Sequence, residues 1–199
     1  MNDSGLRPGD RARKQALFWM VSSDETKLTR TMTHERFQKS MAPGSPHHLL
    51  SRLVGEWEGT ARTWFEPDKL ADESSITGTI RSILGGRFVL HEYTSQVMGS
   101  ALSGMATLGY HLDEQRFTMS WIDTFHMGTG LMYSTSTTPG TQDGFSVLGS
   151  YADPQGGKPW GWRTDIELPA PEQLVITHHN ITPDGKSAKA VEIQYRRKR

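Results

Sequence analysis

The feature that most limits the fold of this chain is a succession of short strand-like segments, each ended by a turn signal. The signals include Pro67-Asp68, Gly85-Gly86, Pro139-Gly140 and the sequence TPDG at 182–185. Many such strands at short, regular spacing are typical of an all-β sandwich or barrel. The predicted strands cover residues 56–66, 73–84, 87–96, 101–111, 116–124, 129–137, 144–151, 160–168, 173–181 and 187–197.

The alternation within one segment favours the barrel over the sandwich. In FTMSWIDT (117–124), one face carries bulky apolar groups with one acid, and the other carries hydroxyls with one isoleucine. A polar residue on each face indicates a barrel with an occupied or hydrated interior, whereas a dry sandwich core is more uniformly apolar. The hairpin-length links favour an up-and-down barrel, because its closure leaves no unpaired edge. We therefore predict an antiparallel up-and-down β-barrel of about ten strands, with a sandwich as the alternative.

One convincing helix precedes the strands. In SPHHLLSRLVG (45–55), Ser45 is the predicted N-cap and Pro46 the first helical residue. The apolar residues from Leu49 to Val54 fall on one face, and Gly55 is the expected left-handed C-cap. We expect a short N-terminal capping helix at the start of a barrel domain over 46–199. Residues 1–45 show no sustained period and are predicted to be a flexible extension, with a short helical segment near residues 33–40.

Composition excludes several classes of function. The 22 basic and 22 acidic residues leave a formal net charge of zero, so we expect no nucleic-acid partner, and the basic run at 196–199 is expected to be a solvated tail. The chain has no cysteine, which excludes disulfides, thiol nucleophiles and Cys-ligated metals. No apolar run approaches the roughly 18 residues of a membrane span. The run ALFWMV at 16–21 is too short for a signal peptide, so we predict a cytoplasmic protein without a membrane partner.

Several motifs are similar to those of a known family. HHLLSRLVGEWEGT (47–60), ILGGRFVLHEY (83–93), LGYHLDEQRFTMSWIDT (108–124) and TPDGKSAKAVEIQYRRK (182–198) resemble the DUF1579 proteins, a bacterial family of unknown function. The resemblance covers about residues 46 to 198. The family is similar to the calycin superfamily of lipocalin-like barrels, which implies a meander barrel plugged at one end by a short helix. It implies no reaction, because a fold does not supply a function.

The calycin resemblance also implies a role for the first tryptophan. Lipocalin-like barrels carry Gly-x-Trp at the start of the first strand and an arginine on the last strand that packs over the indole. Gly55-Glu56-Trp57 matches the first element, and Arg196 or Arg197 can supply the second. We therefore expect Trp57 to close the barrel with one of these arginines. Trp64 has the opposite parity in the same strand and should point to the other face.

Candidate ligand-binding residues are aromatic or polar side chains expected on interior strand faces. A carboxylate inside a barrel has a raised pKa unless it is paired, which suits acid–base chemistry or a hydrogen bond to a polar ligand. A structural Asp123 paired with an arginine, or ending its strand in a turn, is the alternative. His126 follows in a loop expected at the barrel mouth. The candidates are His91, Tyr93, Tyr110, Trp121, Asp123, Tyr133, Trp162 and His178.

The eight histidines do not form a metal motif. No HxH or HxxxH spacing is present, and the adjacent His178 and His179 point to opposite faces of a strand, so they cannot bind one ion. A haem barrel of the nitrobindin type would need a proximal histidine on a late strand, for which His178 is the interior candidate. We predict no metal and no cofactor, and keep haem binding as a less favoured alternative.

The sequence leaves two main hypotheses for function. The first is binding of a small, largely apolar or amphipathic ligand in the barrel interior, oriented by residues such as Trp121, Asp123, His91 and Tyr133. The second is an enzyme that uses the same cavity for acid–base chemistry of an isomerase, cyclase or hydratase type. No catalytic residues can be assigned, and a homodimer formed through the outer face of the barrel is a further alternative.

Overall fold

The structure, a computed structural model, describes residues 34–153 and 156–199. The chain divides into two compact units, Met1–Lys39 and Ser40–Arg199. In the first unit, residues 34–39 are helical. The expectations for residues 1–33, including the ALFWMV run, lie outside the described residues. None of the described helices is long and apolar enough to cross a membrane.

The second unit is a closed barrel, as predicted. Each strand pairs antiparallel with its neighbours in chain order, and the first strand pairs with the last from Trp57 opposite Arg197 to Thr63 opposite Val191. The prediction of an all-β up-and-down barrel with a short helix is confirmed. The elements are α1 (Pro46–Leu53), β1 (Gly55–Glu66), β2 (Lys69–Ile83), β3 (Phe88–Val97), β4 (Ser100–His111), β5 (Arg116–Asp123), β6 (Met132–Thr135), β7 (Gly144–Tyr151), β8 (Trp160–Ala170), β9 (Gln173–Ile181) and β10 (Ser187–Arg197).

Two strand boundaries differ from the prediction by more than two residues. β2 begins at Lys69, because the turn after β1 is tight: Asp68 has a φ of 60° and Glu66 already pairs with Lys69. β6 begins only at Met132, because the chain after Asp123 forms a loop over residues 124–131 instead of returning directly into the sheet. We call this segment the mouth loop.

The helix α1 begins as predicted but ends differently. Ser45 is extended and Pro46 occupies the first turn, although the Ser45 side chain makes no capping hydrogen bond. The helix ends at Leu53, and the residue after it, Val54, is extended. Gly55 is therefore not a C-cap; it begins β1 with a φ of +155°, and a Cβ there would lie 2.1 Å from Nη1 of Arg197. A glycine is needed because another side chain approaches the backbone.

The odd-numbered strands run away from the helix, so the barrel has a closed end at α1 and a mouth at the opposite end. Inward-facing residues alternate with outward-facing ones along each strand. Near the closed end the core contains Leu50, Leu53 and Trp57, all at most 1 % exposed. Phe117 and Phe145 stack there with ring centroids 4.0 Å apart. The core becomes more polar towards the mouth.

Candidate functional site

The closed end is fastened by the contact of Trp57 with Arg197. The indole N–H of Trp57 donates to the carbonyl of Leu53 at 2.9 Å, and Cζ of Arg197 lies 4.2 Å from the ring centroid. The same guanidinium donates to the carbonyls of Val54 at 2.5 Å and Arg52 at 2.9 Å. Arg197 thus holds the end of α1 against the indole. Arg196, the other expected partner, is exposed and faces outward.

Two polar side chains meet in the middle of the barrel where β2 carries a glycine. Nε2 of His91 lies 3.2 Å from the hydroxyl of Tyr195, and both side chains are buried. A Cβ on Gly78 would lie 2.7 Å from the Tyr195 hydroxyl and 2.8 Å from Nε2 of His91. Burial lowers the pKa of His91 to about 4, so this imidazole is neutral at pH 7.

A second glycine makes room for Tyr93, which lies two residues nearer the mouth than His91 on the same strand. The indole N–H of Trp121 donates to the hydroxyl of Tyr93 at 2.8 Å. A Cβ on Gly104 would approach that hydroxyl to 2.3 Å. Burial raises the pKa of Tyr93, although the hydrogen bond from Trp121 opposes the shift. Tyr93 is therefore a neutral phenol inside the barrel.

Three rings stack beside these groups. Trp121 lies 5.6 Å from both Trp162 and His178 between ring centroids, and Trp162 lies 5.4 Å from His178. Nδ1 of His178 lies 3.2 Å from the indole N–H of Trp162 and 2.9 Å from the hydroxyl of Thr164. Because the indole can only donate, Nδ1 accepts, and the proton of the neutral ring is on Nε2. Burial is the main cause that lowers the pKa of His178 to about 3.

These groups surround a small cavity. It has a volume of about 30 Å³, and its walls include His91, Tyr93, Trp121, Thr164 and His178. Pockets for organic ligands measure about 300–1,000 Å³, whereas about 10–15 Å³ is enough for one water molecule. In this conformation the interior has room for a water molecule or two and not for an organic ligand. A porphyrin is far larger, so haem does not fit the closed barrel.

The mouth loop is tied to the barrel by Asp123, the last residue of β5. Its Oδ1 accepts hydrogen bonds from the backbone N–H groups of Phe125, His126 and Met127, at 3.3, 2.7 and 3.0 Å. Its Oδ2 lies 2.5 Å from Nδ1 of His126. Burial opposes ionisation of Asp123, but the hydrogen bond and charge of His126 and the backbone N–H groups outweigh it, so the pKa is lower than usual.

Loop side chains cover the opening. Phe65, at the end of β1, stacks with Phe125 of the mouth loop at 6.4 Å between ring centroids. The loop follows β5, which lies four strand positions from β1 around the barrel. Met127 packs against the core. The ring of His126 lies 5.5 Å from Trp121 and 5.7 Å from Trp162. The loop therefore separates the aromatic stack from solvent.

Asp123 and His126 form a carboxylate–imidazole pair. The Asp123 side chain is fully buried, while that of His126 is 21 % exposed. An ionised carboxylate beside Nδ1 fixes the proton of a neutral imidazole on that atom and leaves Nε2 as a base. Asp123 ends its strand in a turn, which was the structural alternative for this residue. Its side-chain partner is His126 and not an arginine.

The structure brings together most of the predicted ligand-binding residues, with two corrections. Tyr133 is 57 % exposed on the outer face, because the register of β6 turns Met132 and Ser134 inward. Tyr110 packs against His47 and Phe117 near the closed end and does not reach the cavity. The remaining candidates line the cavity, stack beside it or form the loop anchor: His91, Tyr93, Trp121, Asp123, Trp162 and His178.

Sequence reasoning missed three contributors to the interior. Tyr195 and Thr164 follow the ordinary alternation of their strands, so nothing in the sequence marks them as part of a site. Ser134 belongs to β6, whose register the sequence does not predict. The hydroxyl of Ser134 is buried and has no hydrogen-bond partner among the described residues. In the same part of the chain, no group of three or more His, Cys, Asp or Glu side chains is placed to hold a metal ion.

The fold and the site define a class: a ten-stranded up-and-down barrel, closed by a helix at one end, with polar and aromatic groups around a small internal cavity. Residues 42–197 match the model of the family described as protein of unknown function (DUF1579). The chain belongs to this family. No curated protein matches it.

Two solved structures have a similar fold. The structure of Rv2717c from M. tuberculosis has 13 % sequence identity and a TM-score of 0.51, with 78 % of this chain and 99 % of that chain covered. The structure of the S-type phycobiliprotein lyase CPES from Guillardia theta also has 13 % identity and a TM-score of 0.51, with coverages of 76 % and 92 %. At this identity the likeness is one of fold alone.

Proposed function

We propose that the protein binds a small, largely apolar molecule in the barrel interior, beside the stack of Trp121, Trp162 and His178. The supporting observation is the composition of the buried layer around the cavity. It combines flat aromatic walls with two neutral imidazoles, a phenol and a hydroxyl. An apolar pocket with a few convergent polar groups and shifted pKa values is the usual character of a ligand site.

A purely structural core would not need this layer. Burying a polar group costs free energy that its hydrogen bonds must offset, and a leucine in place of His91 or His178 would need no such partner. The glycines at 78 and 104 remove two more side chains from the packing. The polar groups that face the cavity make this layer less stable than an apolar core would be, and such a loss of stability is expected at a ligand-binding site.

Ligand access requires the mouth loop to move. The loop contains Gly128 and Gly130, and three of its backbone N–H groups donate to one carboxylate, that of Asp123. Displacement of His126 and Met127 would extend the cavity to the mouth and expose the faces of Trp121 and Trp162. We propose that the structure is the closed form and that the ligand replaces the loop side chains above the stack. The similar fold of a phycobiliprotein lyase is compatible with this proposal.

The pair of Asp123 and His126 favours acid–base catalysis as a second candidate function. A buried carboxylate that orients an imidazole is a common arrangement for a general base. The imidazole stands beside the aromatic stack, where it could remove a proton from a bound molecule. A His126→Gln variant that binds a ligand unchanged but no longer converts it would support this function; a ligand recovered unchanged after prolonged incubation would contradict it.

Probe binding tests the first proposal. N-phenyl-1-naphthylamine is a small apolar fluorophore, and its titration should quench the fluorescence of Trp121 and Trp162 by energy transfer. Ala106→Leu fills the cavity, since Ala106 lies between His91 and Trp121 in the interior register. It should weaken binding at least tenfold, on the order of a 1.4 kcal/mol loss. Thr107→Leu adds similar bulk on the outer face and is the matched control. Equal binding by both variants would refute an interior site.

A further inference from the structure

The outer wall of the barrel carries an apolar patch that lies outside the internal cavity. The residues that precede or follow the patch residues along their strands, such as Trp121 and Met132, are buried in the core, so the patch residues themselves face solvent. The outer apolar patch consists of Met105, Ile122, Leu131, Tyr133 and Leu148, which are 40, 38, 64, 57 and 40 % exposed.

The patch is continuous across four strands. Met105 lies directly opposite Ile122 on the β4–β5 pair. Trp121 pairs with Met132, which places Leu131 beside Ile122 across the β5–β6 pair. Leu148 pairs with Thr135, two residues from Tyr133 on the same face. Side chains at such positions are within contact distance of one another.

The patch covers the weakest seam of the barrel. β6 contains four residues, and its pairing with β7 is limited to one register position. Incompletely paired strands can pair with another chain, and native sheets usually protect or cover such places. On the side of the patch away from this seam, Met105 and Ile122 form part of a groove of about 740 Å³ over β2–β5 that is bordered by the loop residues 128–130. The wall is therefore concave there and can accept protruding side chains.

We propose that this wall is a homodimer interface, in which a second copy of the chain covers the outer apolar patch. In a two-fold interface the patch of one copy lies against the same patch of the other copy, so the patch must not carry a net charge that would repel its counterpart. The other outward residues between the patch members are threonine and serine, and the neighbouring charges form ion pairs: Arg163 with Asp165 at 3.1 Å, and Arg81 with Glu92 at 3.2 Å. An uncharged face with neutralised borders satisfies this condition.

The size of the patch also fits a dimer. With about 200 Å² for a fully exposed large side chain, the five residues expose roughly 480 Å². A stable interface buries about 800 Å² per partner, of which about 65 % is apolar in homodimers. The patch supplies nearly all of that apolar area, and the surrounding hydroxyl groups supply a polar rim.

Sedimentation velocity of the full chain, from low to high micromolar concentration, tests the proposal. The parent should form dimers, and Ile122→Lys and Tyr133→Lys should weaken dimerisation by roughly 100-fold, because like charges then meet across the two-fold axis. Gln194→Lys, on the outer face of β10, introduces the same charge away from the patch and should have no effect. Tyr133→Ser removes the apolar ring without adding charge and should also weaken the dimer. Circular dichroism checks that each variant is folded.

Two results would overturn the proposal. One is a parent protein that stays monomeric at the highest concentration. If Ile122→Lys then abolishes binding of N-phenyl-1-naphthylamine, the groove beside Ile122 is a ligand site instead of an interface. The other is a dimer that resists all three patch variants, which would place the interface elsewhere. Neither result depends on the interior ligand site, because Ala106→Leu tests that site separately.

Discussion

Replacing Trp57 by alanine should strongly destabilise the protein through the loss of contacts at the closed end. The indole is completely buried, donates a hydrogen bond to the carbonyl of Leu53 and lies under the guanidinium of Arg197. Its removal leaves a cavity between α1 and the barrel. It also removes the surface on which Arg197 rests while that residue holds the end of the helix.

The magnitude follows from these contacts. Burying about 200 Å² of indole at about 25 cal/mol per Å² stabilises the fold by ~5 kcal/mol, and residual burial in the unfolded chain reduces this to ~3–4 kcal/mol. The hydrogen bond and the cation–π contact contribute about 1 kcal/mol each. Trp57→Ala should therefore cost about 5–6 kcal/mol, at or slightly above the upper end of the usual range for such substitutions. Trp57→Phe keeps an aromatic ring and should cost about 2 kcal/mol.

Equilibrium unfolding in urea, followed by far-UV circular dichroism, measures these losses. Trp64→Ala is the matched control, because Trp64 lies on the outer face of the same strand, with the ammonium of Lys189 5.3 Å from its ring centroid. It should cost about 1 kcal/mol or less. A Trp57→Ala variant within about 1 kcal/mol of the parent would refute the closing role, and so would equal losses for the two tryptophans.

Three further predictions concern the interior and the mouth. The pKa values of His91 and His178 are lowered to about 4 and about 3, so below pH 6.5 the unfolded chain binds protons that the folded chain does not. The stabilisation from these two neutral imidazoles is complete above pH 6.5. As the pH falls below 6.5, the free energy of unfolding should decrease by up to about 1.4 kcal/mol per pH unit for each imidazole. Urea unfolding measured at several pH values should show that the free energy of unfolding depends less steeply on pH in His91→Asn than in the parent. An unchanged pH dependence would contradict a lowered pKa for His91. The pKa of Asp123 is lowered despite burial, so closure of the mouth loop persists at neutral pH and is lost as the pH falls through that lowered value. Asp123→Asn at pH 7 should raise hydrogen exchange of the amides of residues 125–127 about tenfold. Asp72→Asn, which alters the acceptor for the backbone N–H of Met98 in a different turn, should leave those amides protected. Gly104→Ala should cost about 1–3 kcal/mol in urea unfolding, since its Cβ would collide with the hydroxyl of Tyr93, and a neutral result would mean that the tyrosine can move.

Most of the fold was predictable because its signals are local. The alternation in β5 and the turn residues between strands are written in adjacent residues, so strand order and count followed from them. β6 was the exception: its start depends on how Asp123 holds the mouth loop, and a shift of register there turned Tyr133 outward. A one-residue change of register reverses the face of every side chain in a strand.

The site was less predictable because its contacts are distant in sequence. His91 and Tyr195 are 104 residues apart, and Trp121 and Tyr93 are 28 apart. Parity along a strand can place each side chain inside, but it cannot say which side chains share a layer. That depends on strand tilt and register around the whole barrel. The closure of the mouth, and with it the small cavity volume, had no signal in the sequence.

Native mass spectrometry of the protein purified from its source tests the ligand proposal most directly. We predict a co-purifying molecule of low mass that is retained by the parent and by Thr107→Leu. The Ala106→Leu variant, with its cavity filled, should carry none. A parent that carries no small molecule, together with a failure to bind apolar probes, would contradict the account, and so would a ligand that Ala106→Leu retains in full.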